Sequence, residues 1–513
     1  MNPKAKRPRP DKSFEIRNGV LIQYYGKETS VELPETVLIV GENAFRGNKS
    51  IRRVTLGKNV SVIKGRAFCA CTELAEVVFS QHLRLIDDYA FEKCESLLSI
   101  ALPASLLTLG DGVFSGCKSL ESATLPQGLE AMGRFCFCDC ESLKEIKLPD
   151  SLDSVRHGCF WNCRSIEQIT LPKRLAAIGS TAFGRCKSLC KIDLPEGLHY
   201  IGEGSFSQCV SLESCTLPKD VRFVADYTFC ECSSLENVTL PEGLTHIGID
   251  SFLACKNLKS ITLPESLAKI SKAAFFGCSS LEEIAVPAAV LDLGEEAFAF
   301  CSSLERVEIK APLTILKKEC FRGDTSLTEA ILPNSIRVIE ARAFFGCERL
   351  PLIHIPRLLK LLDRRAFEKC RSLRAISLPA GLSRIGDGAF LGCSSLQTVL
   401  LPYRPAKLGR GLFFGCNDLR GVVVPDSRLP FRRLPERWAL PEKTQIIRYS
   451  DLKLSLLFAE YTSEETTPER KAALQAEIKE NLQKFKKRNK GSMQSLKQNL
   501  DSATTLIKQD LNQ

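Results

Sequence analysis

The chain has 513 residues, of which 44% are hydrophobic and 7% aromatic, and its formal net charge is +10. This composition excludes a disordered or fibrous class and supplies enough apolar side chains for a large core. Residues 1–12 carry +4 and residues 468–513 carry +5, so the body between them carries only +1. A nucleic-acid-binding body needs a basic stripe along its length. We therefore expect no nucleic acid to bind through the body.

Residues 1–21 are expected to form a basic N-terminal tail. Five Lys or Arg lie within the first twelve residues, and no apolar stretch follows them that resembles a secretory signal. The chain also lacks an apolar run of roughly 18–20 residues, the length that spans a bilayer. These features predict a cytoplasmic protein with reduced thiols, with non-classical export left open.

A 23-residue repeat occupies most of the chain. Its most regular feature is a phenylalanine that recurs seventeen times without insertion or deletion. These repeat phenylalanines are Phe45, Phe68, Phe91, Phe114, Phe137, Phe160, Phe183, Phe206, Phe229, Phe252, Phe275, Phe298, Phe321, Phe344, Phe367, Phe390 and Phe413. An unbroken register of this kind indicates a repeat architecture rather than separate globular domains.

Other positions follow the same period. Cys lies three residues after the phenylalanine in fifteen repeats, with Asn48 and Asp324 as exceptions, and Leu or Ile lies six residues after it in every repeat. Pro lies twelve residues after it in fourteen repeats. One repeat cannot bury its own apolar positions, so stacking is expected to turn each position into a continuous buried column.

The repeat FGRCKSLCKIDLPEGLHYIGEGS, residues 183–205, shows the expected local structure. The pattern LxxIxLP has apolar residues two apart, which predicts a short strand that Pro terminates. The pattern LxxIG predicts a second extended piece, with Gly free to adopt positive φ. The AFxxC segment is expected to form one short helical turn.

The consensus LxxIxLPxxLxxIGxxAFxxC resembles the BspA-type leucine-rich repeat family over about residues 22–425. The resemblance implies an α/β repeat fold: a right-handed leucine-rich-repeat solenoid with a parallel β-sheet and short helical turns. It also implies protein binding through an exposed face. Many members of the family are surface or secreted proteins that bind host proteins, but no signal, anchor or membrane segment is recognisable in this chain.

Both ends of the repeat region depart from the consensus. Residues 22–44 form a partial N-terminal cap unit, in which Ile22 and Tyr25 replace the phenylalanine and the cysteine. Residues 426–450 are expected to form a C-terminal cap, with Phe431, Trp438 and Ile446 as plugs. Such caps shield the open core of a terminal repeat.

Residues 451–513 are expected to form a helical tail. Leu474, Ile478, Leu482 and Phe485 recur at helical spacing. The tail either packs on the cap or serves a partner as a coiled-coil segment or a flexible basic arm.

Catalytic chemistry is not indicated. The five His fall in different repeat positions, and no nucleotide-binding, hydrolase or metalloprotease motif lies in a supporting context. Cys136, Cys138 and Cys140 form CxCxC without a neighbouring His or CxxC. We expect no catalytic residue, cofactor or metal, and an enzyme or metal-binding protein is the remote alternative.

The sequence therefore predicts a monomeric, intracellular, non-catalytic protein-binding scaffold, with an exported or surface-associated adhesin or effector as the alternative. Residues eight and ten after each phenylalanine are expected to face solvent from the strand. Apolar side chains gather there in the later repeats and mark a binding face. The alternative is that the cap or tail covers this patch. The candidate residues are Ile331, Leu352, His354, Ser377, Leu400 and Val423.

Overall fold

A computed structural model describes residues 13–402, 407–424 and 434–449, and isolated positions between 453 and 481. The described residues belong to two compact units, which divide between Leu267 and Ala268. Each unit is a parallel β-solenoid of stacked coils, as the sequence predicts. A short helix, Leu434–Trp438, follows the last repeat.

Two strand ladders run through each unit. Ladder A is formed by the LxxIxLP segments and ladder B by the LxxIG segments. In the first unit, ladder A comprises Ser30–Glu32, Arg53–Thr55, Glu76–Val78, Ser99–Ala101, Ser122–Thr124, Glu145–Lys147, Gln168–Thr170, Lys191–Ile192, Ser214–Thr216 and Asn237–Thr239. In the first unit, ladder B comprises Val20–Tyr24, Ile39–Val40, Val62–Ile63, Leu85–Ile86, Thr108–Leu109, Ala131–Met132, Ser154–Val155, Ala177–Ile178, Tyr200–Ile201, Phe223–Val224 and His246–Ile247.

The second unit repeats this arrangement. Its ladder A comprises Glu283–Val286, Arg306–Ile309, Glu329–Ile331, Ala375–Ser377, Thr398–Leu400, Gly421–Val424 and Gln445–Arg448. Its ladder B comprises Lys269–Ile270, Asp292–Leu293, Ile315–Leu316, Val338–Ile339, Leu361–Leu362, Arg384–Ile385 and Lys407–Leu408. Paired residues lie one repeat apart, as Thr216 and Thr239 do in ladder A, so the sequence period sets the strand register.

The repeat phenylalanines form the centre of the core. All are essentially inaccessible to solvent, and within each unit successive rings stack nearly parallel. The ring centroids of Phe160 and Phe183 lie 5.6 Å apart with an interplanar angle of 2°. Stacking identical repeats therefore produces the buried column that the periodicity predicts.

The AFxxC segment differs from the expected helical turn. It forms tight turns, in which the residues two before and two after every repeat phenylalanine adopt positive φ. In one repeat these residues are Thr181 (φ 52°) and Arg185 (φ 62°). The N–H of Arg185 donates to the carbonyl of Ser207 in the next coil at 2.7 Å, so the left-handed backbone directs a hydrogen bond between coils.

The glycine of LxxIG also acts differently from the expectation. Gly133 does not adopt positive φ; a Cβ there would lie 2.2 Å from the carbonyl oxygen of Gly110 in the preceding coil. A Cβ at Gly179 would lie 2.6 Å from the backbone nitrogen of His157. Glycine is therefore needed at this position because adjacent coils approach closely.

The N-terminal cap begins before the predicted boundary at residue 22. Phe14–Arg17 and Val20–Tyr24 form an antiparallel hairpin, and the second strand continues ladder B through its pairing with Ile39–Val40. Tyr24, rather than Ile22, occupies the phenylalanine column, with its ring 5.0 Å from that of Phe45. Ile22 and Tyr25 are exposed. The expected residue replacements were wrong because the cap is a hairpin whose register differs from that of a repeat.

The C-terminal cap closes the other end of the phenylalanine column. Trp438 is fully buried and lies edge-on to Phe413, with ring centroids 6.4 Å apart. Its carbonyl accepts the N–H of Phe413 at 3.0 Å. The predicted role of Trp438 as a plug is confirmed, whereas Ile446 is half-buried at the end of ladder A and Phe431 lies outside the described residues.

Candidate functional site

The outward side of ladder A displays the side chains that vary between repeats. In a strand such as Glu329–Ile331 the middle residue is buried and its two neighbours are exposed, because side chains alternate along a strand. The same alternation holds at Thr216 and Thr239 in the first unit. The prediction that positions eight and ten after each phenylalanine face solvent is confirmed for these strands.

The six candidate residues do not share one environment. Ile331, with 39% of its surface exposed, and His354 are open to solvent, and Leu352 and Ser377 are half-buried. Leu400 and Val423, however, are 5% and 0% exposed. The expectation of an open face was therefore wrong for these last two residues.

All residues of the strands Thr398–Leu400 and Gly421–Val424 are buried, on both sides of the sheet. Leu400 pairs with Val423, and Val423 pairs with Ile447 of the added strand Gln445–Arg448. The hydroxyl of Tyr449 then donates to the carbonyl of Leu401 at 2.5 Å. The outward side of ladder A therefore becomes an interior surface at its C-terminal end.

Parts of the predicted helical tail are also buried. Leu474 and Ile478, both assigned to the apolar stripe, are 0% and 8% exposed, and Leu457 is buried as well. Lys453 forms an ion pair with Glu477 at 3.1 Å, joining two helical positions of this segment. Leu482 and Phe485 lie outside the described residues. Apolar residues of the C-terminal segment are thus removed from solvent in the same unit as Leu400.

On the strands Arg306–Ile309 and Glu329–Ile331, exposed charged side chains form ion pairs with one another. Arg306 donates to Glu329 on the adjacent strand at 2.9 Å and lies 3.4 Å from Glu308 on its own strand. Such exposed pairs contribute little to stability, and here two carboxylates share one guanidinium. The apolar side chain of Ile331 follows directly after them and is not covered.

Cys136, Cys138 and Cys140, the cysteines of the CxCxC segment, are buried. Among the described residues no group of three or more His, Cys, Asp or Glu is arranged to hold a metal ion. Burial raises the pKa of Cys138 to about 12 and the pKa of Cys136 and Cys140 well above the usual range. Thiols of this kind are poor nucleophiles and poor metal ligands, because both roles require the thiolate.

The cysteine column serves the backbone instead. Ladder thiols donate to the carbonyl of the phenylalanine in the preceding repeat, as Cys71 does to Phe45 and Cys416 to Phe390, both at 3.1 Å. A small donor that fits a tight apolar column satisfies a buried carbonyl. The residue type is therefore explained by packing and hydrogen bonding.

The period, the buried columns and the coil geometry together assign the family. Residues 21–133, 108–236, 222–330 and 314–432 match the family described as BspA type Leucine rich repeat region (6 copies). The chain belongs to the BspA-type leucine-rich repeat family. This family is a repeat scaffold compatible with protein binding. No curated protein matches the chain.

Solved structures similar to this BspA-type chain include several bacterial leucine-rich repeat proteins. A protein from Bacteroides ovatus is 26% identical, with 84% of this chain and 94% of that chain covered and a TM-score of 0.49. The Treponema protein TpLRR of T. pallidum is 32% identical, with 40% and 91% covered and a TM-score of 0.33. The pneumococcal vaccine antigen PcpA is 21% identical, with 69% and 92% covered and a TM-score of 0.39. The family assignment rests on the repeat match.

Charge is distributed unevenly along this BspA-type chain, which the net charge of the whole body does not reveal. Residues 13–336 hold 33 Lys and Arg against 41 Asp and Glu, whereas residues 337–420 hold 15 against 6. The two regions carry −8 and +9, and these values nearly cancel in the total. A charge count repeat by repeat would have revealed the basic region.

No helix among the described residues is long and apolar enough to cross a membrane.

Proposed function

We propose that this BspA-type chain is a non-catalytic protein-binding scaffold whose open ladder A face, from Ile331 to Ser377, contacts the partner. The observation that carries the proposal is the separation of roles within the repeat. Buried apolar columns form the core, while the outward positions vary; Ile331 and Ser377 end strands, and Leu352 and His354 lie in the segment of the coil between them. Solenoids use surfaces of this kind for binding.

The open face has the chemistry of a small interaction site. Ile331 is exposed, Leu352 is half-buried, and His354 supplies a polar group beside them. Apolar side chains on an exposed rigid surface bring affinity when a partner removes them from water, at about 25 cal/mol per Å² of buried apolar area. Leu400 and Val423 are left out of the site because they are buried.

The experiment is capture of a partner from native lysate with full-length protein and two matched variants. Ile331→Glu with His354→Glu charges the open face, and Thr216→Glu with Thr239→Glu charges the same ladder in the first unit. We expect the first pair to reduce capture at least about tenfold, a loss of 1.4 kcal/mol, and the second pair to leave it unchanged. Melting curves verify folding, and equal capture by both variants would contradict the proposed site.

We also propose that the chain functions in the cytoplasm, which is a reducing compartment. What supports this is the hydrogen-bonded thiol column, since a disulfide between adjacent ladder cysteines would remove two S–H donors from buried carbonyls. Fractionation of native cells tests it. The chain should remain with the cytoplasmic fraction, and recovery from the cell surface or the medium would favour the exported alternative.

A further inference from the structure

The basic region between residues 337 and 420 forms a defined surface on ladder B. The strands that start at Val338, Leu361, Arg384 and Lys407 pair in parallel, with these four residues in register. The next residues, Ile339, Leu362 and Ile385, are buried. The side chains of the first residues therefore point away from the core.

Four exposed cations from neighbouring coils lie at the start of these strands. Arg384 and Lys407 lie within the row, and Arg337 and Lys360 directly precede its first two strands. All four are exposed, and none forms an ion pair with a residue that the structure describes. Because adjacent strands lie about 4.8 Å apart, the four cations fall within roughly 15 Å along the ladder.

The nearby carboxylates Asp363 and Asp387 form no ion pair with these four cations among the described residues. Asp363 and Asp387 accept backbone N–H groups, those of Arg364 and Arg410, at 2.7 and 2.8 Å. Arg364 and Arg410 are themselves exposed and add positive charge at the edge of the row. These six cations outnumber the three carboxylates beside the same strands, Glu340, Asp363 and Asp387, so the net charge here is positive.

Aliphatic side chains lie among these cations. Ile315, which is exposed, pairs with Val338, so the row begins with three aliphatic residues: Ile315, Val338 and Leu361. Leu358, with 49% of its surface exposed, lies two residues before Lys360. The surface that combines this aliphatic row with Arg337, Lys360, Arg384 and Lys407 is called the basic face below.

We propose that the basic face binds an acidic polypeptide segment that also carries aliphatic side chains. The cations match its carboxylates, and the aliphatic row gives its apolar side chains a surface to pack on. Single-stranded nucleic acid would need aromatic side chains for base stacking, and the outward residues of the row include none. The inference rests on the proposed protein-binding function, but it concerns a surface separate from the open face of ladder A.

The test measures fluorescence anisotropy of three labelled probes with full-length protein. The probes are a peptide that alternates Glu and Leu, a poly-Glu peptide of equal charge, and a single-stranded oligonucleotide of equal charge. We expect the Glu-Leu peptide to bind at least about tenfold more tightly than the other two, and to weaken as NaCl rises from about 50 to about 300 mM because salt screens the cations.

Two pairs of substitutions locate the binding. Arg384→Glu with Lys407→Glu should weaken the Glu-Leu peptide at least about tenfold. Lys147→Glu with Lys173→Glu makes the same change in net charge on exposed residues of the first unit and should leave binding unchanged. Leu361→Ser should weaken the Glu-Leu peptide and leave poly-Glu unaffected.

Several outcomes would overturn the inference. Oligonucleotide binding as tight as that of the Glu-Leu peptide would assign the face to nucleic acid, and equal losses in both charge pairs would show nonspecific attraction. Absence of binding by all three probes would also exclude it. Capture of a partner through Ile331 is measured on separate variants, so the two proposals can fail independently.

Discussion

The thiol of Cys232 donates to the carbonyl oxygen of Phe206, one repeat earlier, across 3.1 Å. The same carbonyl accepts the N–H of Cys209 at 3.1 Å, so a backbone turn and a neighbouring side chain share one buried acceptor. Because the arrangement recurs from coil to coil, the cysteine column is a line of hydrogen bonds that joins successive repeats. Three consequences of this packing can be measured.

Native thiol labelling should be confined to very few positions. Cys190 is the exposed cysteine of the described chain, and Cys230 is partly exposed with its pKa raised by burial to about 11. We expect one fast equivalent, at Cys190, and slow labelling at Cys230, with the ladder thiols unreactive until denaturant is added. Cys190→Ser is the control and should abolish the fast phase. Rapid labelling of Cys232 in the native state would show that the column opens to solvent.

Asp324 replaces the ladder cysteine in one repeat and should make stability depend on pH. Its carboxyl is fully buried; one oxygen accepts the N–H of Cys301 at 2.9 Å, and the other has no partner among the described residues. Burial raises the pKa of Asp324 well above its usual range, and the groups that face it are the neutral thiols of Cys301, Cys320 and Cys347. The folded chain therefore keeps a proton that the unfolded chain releases above about pH 4.

The sign of the effect follows from this proton. The Asp324 contribution is most favourable below the unfolded pKa and falls as the pH rises from about 4 toward the raised folded pKa. Asp324→Cys should increase the free energy of unfolding at pH 7 by about 1–3 kcal/mol, the cost of a poorly satisfied buried polar group. In urea titrations from pH 4 to 8, the gain should shrink toward pH 4. A gain that is constant with pH, or one that Asp150→Asn at an exposed site reproduces, would contradict the assignment.

The phenylalanine column should dominate local stability. Phe229 is fully buried between Phe206 and Phe252, with centroid distances of 5.6 and 5.4 Å. Phe229→Ala should cost about 3–5 kcal/mol, because it removes a large buried side chain and leaves a cavity. Phe223→Ala, at an exposed position of the preceding repeat, should cost under about 1 kcal/mol. Thermal melts compare the two, and a splitting of the transition in Phe229→Ala alone would show that the damage stays local.

The fold could be predicted because each repeat position carries the same type of side chain from one repeat to the next. A phenylalanine, a cysteine and an aliphatic residue at fixed offsets specify which side chains face the core, and stacking follows from them. The turn could not be predicted, since Thr181 and Arg185 do not belong to the residue types that favour positive φ. Hydrogen bonds to the next coil hold that backbone, and they exist only after the repeats have stacked.

The candidate surfaces were harder to predict, for two physical reasons. Leu400 occupies an outward position of its strand, but the chain after residue 440 adds a further strand and buried apolar side chains, which no repeat pattern describes. The basic face was missed because net charge is a sum, and the acidic repeats before residue 337 cancel the basic ones after it. Both surfaces depend on where a residue lies along the solenoid and not on the composition of the whole chain.

Leu400 lies ten residues after Phe390 and Leu352 eight residues after Phe344, both at positions that the repeat pattern places outward, and they should respond oppositely to the same substitution. Leu400 is 5% exposed and pairs with Val423, which is fully buried, so Leu400→Glu places a carboxylate in an apolar interior. We expect it to destabilise the second unit by more than about 2 kcal/mol, since an unpaired buried charge is costly. Leu352 is half-buried, and Leu352→Glu should change stability by less than about 1 kcal/mol while reducing partner capture. Urea unfolding and capture are measured on the same preparations. Equal stability of the two variants would show that the residues that bury Leu400 are not part of the folded core. The open face of ladder A would then extend to Leu400, as the sequence predicts.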